Sequence, residues 1–283
     1  MADKIIFLNA NSRLVRIPER VDVLVSDCTG HYVFGGNMIS AVADIRDKFL
    51  KQDGCVMPNY ISMYLVPVDS VSHYNYVNYW KGNLYGIDFT PAQKIANNNV
   101  YFTTFDAKSL ICAPANICNI NLSKDFPNEM MNVKVDFLIP HSCRMHGLCG
   151  WFDVRLCNRV HFSTSPYNKT TGWKQLFFPL EEEISLKKSS VVRVNLILRK
   201  THDDTCACFA WNIKVIGSIE HKQRQSIVKR QSTRKSFLAV KWNPCKTKIC
   251  DINKDGEERN AEFTEIVKQM GMKHKINKAF GFI

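Results

Sequence analysis

Residues 191–198, VVRVNLIL, decide the fold class. Arg193 and Asn195 break the apolar run at every second place, so one face keeps Val192, Val194, Leu196 and Leu198. That period of two is the mark of a strand buried on one side. Working outward, Ile61–Val66, Val133–Ile139, Leu148–Leu156, Leu176–Pro179 and Cys208–Ile216 read as further strands. Turns holding Gly, Pro, Asn or Asp separate them, which predicts an antiparallel sandwich or barrel. Residues 70–98, rich in Tyr, Asn and Trp, read as short helices inserted between the first two of these strands.

Upstream the rhythm differs. Lys4–Leu8 and Val21–Val25 are short apolar runs suited to buried strands, and residues 37–51 carry apolar side chains at helical spacing behind Asn37, a good N-cap. Strand, loop and helix in that order resemble the closing half of an α/β domain. The fold class read from this is α+β and mainly antiparallel. Beyond residue 220 the alternation stops, no acid lies between Lys222 and Lys235, and only Glu262–Met270 has helical character.

Composition narrows the functional classes. With 283 residues, 45% hydrophobic and 23% charged, the chain suits two modest domains or one with an extension. No run of eighteen apolar residues occurs, so a membrane-spanning helix is not expected. The N-terminus lacks the charge and cleavage pattern of a secretory signal. Eleven cysteines without a framework spacing read as reduced thiols, which suits the cytoplasm and also the nucleus. The net charge is +12, and from Glu220 onward fifteen Lys/Arg face seven Asp/Glu, so about +8 of it sits there. Such an excess favours acidic partners, RNA among them, with Lys222, Arg224, Lys229, Arg230, Arg234 and Lys235 as contacts.

Four ordered motifs resemble the protein arginine methyltransferases. Ser26–Met38, SDCTGHYVFGGNM, resembles the double-glutamate loop S-E-x-M-G-x-x-x-x-x-E-S-M, with Ser26, Gly30, Phe34 and Met38 in place. Tyr79-Trp80 with Asn83–Asp88 resembles W-W-E-N-V-Y-G-F-D, and His146–Phe152 resembles the barrel strand V-H-A-L-V-A-Y-F. Ser163–Pro166 with Thr171–Gln175 resembles S-T-S-P…T-H-W-K-Q. The resemblance implies a β-barrel with a helical dimerisation arm, preceded by an S-adenosylmethionine-binding Rossmann domain of which only the truncated C-terminal end is matched. The expected domains are a Rossmann remnant over 1–57, a barrel over 58–230 with its arm at about 70–98, and a basic extension over 231–283.

The same resemblance implies lost chemistry. Two carboxylates orient a guanidinium through paired, charge-assisted hydrogen bonds. Here Asp27 is one methylene short and Gly36 has no side chain, while Gly172 stands where the family has a pocket histidine. The thirteen glycines include no G-x-G-x-G or G-x-G-x-x-G, so no cofactor is expected in this chain. The expectation is a type I prozyme, as in trypanosomatids: an inactive subunit that binds and activates or stabilises an active paralogue, as heterodimer or heterotetramer. Tyr74, Tyr76, Tyr79, Trp80 and Tyr85 are then the arm's interface, since aromatic anchors favour protein contacts. The alternative is an RNA-binding adaptor using the basic C-terminal region.

Two metal patterns compete for attention. Asp251–Glu262 fits an EF-hand loop, but Trp242-Asn-Pro244 before it is unfit for an entering helix and no second loop pairs with it. His141, Cys143, His146 and Cys149 have zinc-like spacing, yet the last two fall on a strand whose side chains alternate faces. No metal is expected at either.

Overall fold

The computed structural model describes residues 5–12, 14–27, 32–34, 38–124, 131–156, 160–200 and 207–218. The chain opens with strand β1 (Val21–Val25), helix α1 (Met38–Phe49) and strand β2 (Leu50–Met57), and β2 lies parallel to β1. Then come β3 (Tyr60–Val68) and a helical insertion of α2 (Val71–Val77), a two-strand hairpin β4 (Asn83–Leu84) and β5 (Ile87–Asp88), and α3 (Thr90–Asn97). The remaining strands are β6 (Tyr101–Thr103), β7 (Ala115–Asn121), β8 (Met131–Leu138) and β9 (Cys143–Arg155). They continue through β10 (His161–Ser163), β11 (Gln175–Leu186), β12 (Ser190–Lys200) and β13 (Ala207–Ser218).

Two antiparallel sheets carry the core. One is six-stranded in the order β6-β11-β9-β3-β7, with β10 added beside β9; the other is three-stranded, β13-β12-β8. Their facing sides meet as expected from the opening octet: Val192, Val194, Leu196 and Leu198 are buried against Met145, Leu148, Phe152, Val154 and Phe178. Arg193 and Asn195 turn outward. Across the gap, Trp211 Nε1 donates to the Pro179 carbonyl at 3.1 Å. The expected mainly antiparallel domain with few helices is present, and among the described residues no ladder joins the two sheets to close a barrel.

Strand β9 shows why its run Leu148–Val154 reads as nearly continuous apolar sequence. Leu148, Phe152 and Val154 face the three-stranded sheet, while Cys149 and Trp151 face a second core with Val66, Val68, Val77, Phe105 and Phe177. A strand covered on both faces has no polar side to show. The second core is where the insertion packs. Two glycines on β9 permit the closest approaches: a Cβ at Gly147 would lie 2.4 Å from the Phe178 carbonyl oxygen, and one at Gly150 would lie 2.8 Å from the Tyr32 ring.

The N-terminal expectations fare unevenly. The helix over 37–51 is present as α1, and its buried Arg46 donates from Nη1 to the Leu122 carbonyl at 2.8 Å, tying it to the end of β7. Residues 5–8 form no strand and stand exposed, and among the described residues no backbone pairs with them. Gly54 lies within β2. Strands β6, β7 and β10 lack the apolar alternation that reveals a strand in sequence: β7 reads ANICNIN.

Candidate functional site

The insertion at 70–98 is built in short pieces by local signals. Asn78 ends α2, its N–H donating to the Tyr74 carbonyl, and a single 3₁₀ turn Asn78–Trp80 follows. Tyr85 and Gly86, both at positive φ (57° and 80°), make the two-residue turn between β4 and β5. Positive φ at both central positions matches the twist of a tight hairpin. Asp88 Oδ1 accepts from the Thr90 hydroxyl at 2.5 Å and from the Thr90 amide at 2.9 Å, which in that order draw its carboxyl below the usual range, and Pro91 opens α3.

Polar groups hold the base of this insertion to the six-stranded sheet. His73 lies between Ser70 Oγ at 2.6 Å and Thr103 Oγ1 at 2.7 Å, with its ring 4.4 Å from that of Phe105. Burial lowers its pKa, since desolvation disfavours the cation. His146 is wholly buried opposite an irregularity in the β9–β11 ladder between Pro179 and Ile184. The Ser70 amide donates to its Nδ1 at 3.1 Å, Asp69 Oδ1 lies 3.1 Å from the same atom, and Glu183 Oε2 lies 3.2 Å from Nε2. Tyr74 packs on the His146 ring, centroids 5.2 Å apart. Neither histidine stood out as an anchor in the sequence: their partners are up to 77 residues away, and no spacing rule connects them.

The five aromatic candidates divide. Tyr74 and Trp80 are partly buried, Trp80 against the second core, whereas Tyr76, Tyr79 and Tyr85 are 74%, 53% and 92% exposed. Ile87, on the far arm of the hairpin, adds exposed apolar surface beside them. The insertion therefore has a fastened base and an open aromatic tip.

The three positions set apart by the family resemblance, Asp27, Gly36 and Gly172, fall elsewhere in the chain. Asp27 is exposed at the end of β1, and Gly36 lies outside the described residues. Between them Tyr32 plugs the main core, its hydroxyl donating to the Tyr64 carbonyl at 3.0 Å and its ring beside Phe178 and Phe209. Gly172 is exposed, and a Cβ there would meet nothing within 4 Å. Its neighbours are nonetheless fixed: Trp173 stacks on Phe162 at 5.2 Å, and the Gln175 amide accepts from the Phe105 N–H and donates to the Thr164 carbonyl. The loop is scaffolded around an empty position.

Among the described residues no three His, Cys, Asp or Glu side chains group to hold a metal. Of the zinc-like spacing, His146 meets Ser70, Asp69 and Glu183 while Cys149 lies in the second apolar core. Asp251–Glu262 lies outside the described residues, as do Lys222, Arg224, Lys229, Arg230, Arg234 and Lys235. No helix among the described residues is long and apolar enough to cross a membrane.

The described residues form a two-sheet antiparallel domain with a helical insertion packed on one face of the larger sheet. The profile of the arginine methyltransferase oligomerization subdomain matches residues 60–212, more than half of the chain, and the protein belongs to the arginine methyltransferase family. It is 28% identical over 210 residues to protein arginine N-methyltransferase 6 of Xenopus tropicalis, covering 70% of this chain and 62% of that protein. With protein arginine N-methyltransferase 1 of Schizosaccharomyces pombe it shares 25% identity over 209 residues, covering 68% and 58%. The chain thus spans less than two thirds of these relatives.

Solved structures agree on the fold. The Trypanosoma brucei PRMT1 enzyme–prozyme heterotetrameric complex with AdoHcy superposes at a TM-score of 0.68 with 16% identity, covering 76% of this chain and 68% of that one. Protein arginine methyltransferase 10 of Arabidopsis thaliana, in an open conformation, gives 0.62 with 18% identity, covering 72% and 68%.

Proposed function

We propose that this protein is a non-catalytic arginine methyltransferase homologue, a prozyme that binds an active paralogue and activates or stabilises it through hetero-oligomerisation. One observation carries the reading: the position that should supply the second guanidinium-holding carboxylate is Gly36. With Asp27 short by a methylene and Gly172 bare, three positions that would grip or align a substrate are altered together. The insertion, by contrast, keeps both its anchoring and its exposed aromatic tip. An enzyme–prozyme heterotetramer among the structural neighbours supports the same reading.

Mechanistically, the tip docks on the paralogue and raises the fraction of it in a competent state, without contributing chemistry. The partnership belongs to the cytoplasm, with the nucleus as a second compartment. Co-expression with an active arginine methyltransferase of the same organism, size exclusion and a methylation assay test it. Co-elution with raised activity is expected; separate elution with unchanged activity refutes the proposal.

A further inference from the structure

We propose that the outward face of the three-stranded sheet is a binding surface for single-stranded RNA, separate from the helical insertion and from the basic C-terminal region. The register places side chains from three strands in rows on this face. Arg193 pairs across to Asp136 and Lys214, and Asn195 to Lys134 and Asn212. Asn132, Lys134, Arg193, Asn195, Asn212 and Lys214 line a shallow depression of about 560 Å³, and not one of them is acidic.

The neighbouring Asp136 engages Arg193 through Nε and Nη2, both at 2.6 Å. That pair holds the guanidinium at the rim, and three cations against one carboxylate leave the face positive. This cation set meets phosphates, and a guanidinium has five N–H donors, of which the pair engages two. The three asparagine amides offer donors and acceptors of the kind that read base edges. Side chains on one face of a sheet repeat at about 7 Å along a strand and about 5 Å across strands, a spacing that lets an extended nucleotide chain meet several at once.

An acidic protein is the competing occupant. Stable protein interfaces centre on aromatic or large apolar anchors. Among the described residues this face has Ile197 and Ala210 in one flanking row and Val191 with the exposed Leu138 in the other. All are aliphatic and parted by the cationic rows, with no aromatic anchor, so a polar, phosphate-led ligand fits better. With about two to three phosphates neutralised, single-strand counterion release predicts a slope near −2 in log K against log salt, or roughly a tenfold loss from 50 to 200 mM.

The test is fluorescence anisotropy of the full chain with a short labelled single-stranded RNA of mixed sequence. The double variant K134E/K214E is expected to bind about tenfold more weakly or worse, with the salt slope reduced by about 1.4. Thermal unfolding should be unchanged, because both lysines are exposed. N195A/N212A, which leaves charge alone, should weaken binding with the slope preserved, and photo-crosslinked peptides should come from β8, β12 or β13. The proposal is overturned if RNA does not bind, or if the charge-reversed chain binds with unchanged affinity and slope, which would place RNA on the C-terminal region. It is overturned too if polyglutamate binds the wild-type face as tightly as RNA, which would mark an acidic-protein site.

Discussion

The insertion at 70–98 and the loop at Thr171–Gln175 rest on the same six-stranded sheet, and both are firmly anchored to it. The difference lies in what they present. The insertion turns Tyr76, Tyr79 and Tyr85 outward from a base locked by His73 and His146. The loop turns out Gly172 and Lys174, while Trp173 and Gln175 hold it in place. Both sites are tied to the sheet by core contacts, and they differ in the side chains they present: aromatic rings at the insertion, none at Gly172.

The sharpest way to break the comparison is to disturb the sheet that both sites share. Gly147→Ala puts a methyl 2.4 Å from a carbonyl oxygen on β11 and 2.3 Å from the Phe177 ring. It should cost about 3 kcal/mol, seen as a lower Tm, and should impair insertion and loop alike. If Gly147→Ala is neutral, the packing of β9 against β11 is looser than described.

Next comes the tip alone. Tyr76→Ala, Tyr79→Ala and Tyr85→Ala together should abolish co-elution with the paralogue, at about 2 kcal/mol for each residue that is an interface anchor. The Tm should move little, since exposed substitutions usually stay within about 0.5 kcal/mol. Loss of stability with retained assembly would invert the assignment and make these tyrosines local core.

The base has its own signature in pH. His73 has a folded pKa below its unfolded value, so the neutral ring contributes stability that is present above the unfolded pKa and lost as pH falls through the folded one. Thermal melts at decreasing pH below about 6.5 should show declining stability. His73→Gln should flatten that part of the profile. An unchanged profile in the variant would remove His73 from the account.

The smallest effects belong to the bare loop. Gly172→His has open space to occupy and a backbone that tolerates a side chain, so its Tm should stay within about 0.5 kcal/mol of the parent. Neither it nor Gly36→Glu should create methyl transfer in the isolated chain. Methylation by either single variant would show that catalysis here was one residue away and would sink the prozyme reading.

Much of the fold was legible because burial on one face writes itself as alternation. The strands expected at Ile61–Val66, Val133–Ile139, Val191–Leu198 and Cys208–Ile216 are β3, β8, β12 and β13; most ends run wider, and β8 stops at Leu138, short of Ile139. Strand β11 runs past Pro179 to Leu186 because the ladder to β9 resumes at Ile184, a long-range pairing that no local rule reports. The residues of the Lys4–Leu8 run that are described carry the propensity of a strand without a partner to realise it.

The sequence by itself determined the class of the domain, the identities at positions 27, 36 and 172, and the presence of an aromatic insertion. These are local facts: the period of a pattern, or the chemistry of one side chain. Only the tertiary structure decided which tyrosines face outward, that His73 and His146 fasten the insertion, and that lysines from β8 and β13 share one face with Arg193. Each of those depends on residues far apart in the chain meeting through strand register and burial, and burial is a property of the assembled sheets rather than of any segment of sequence.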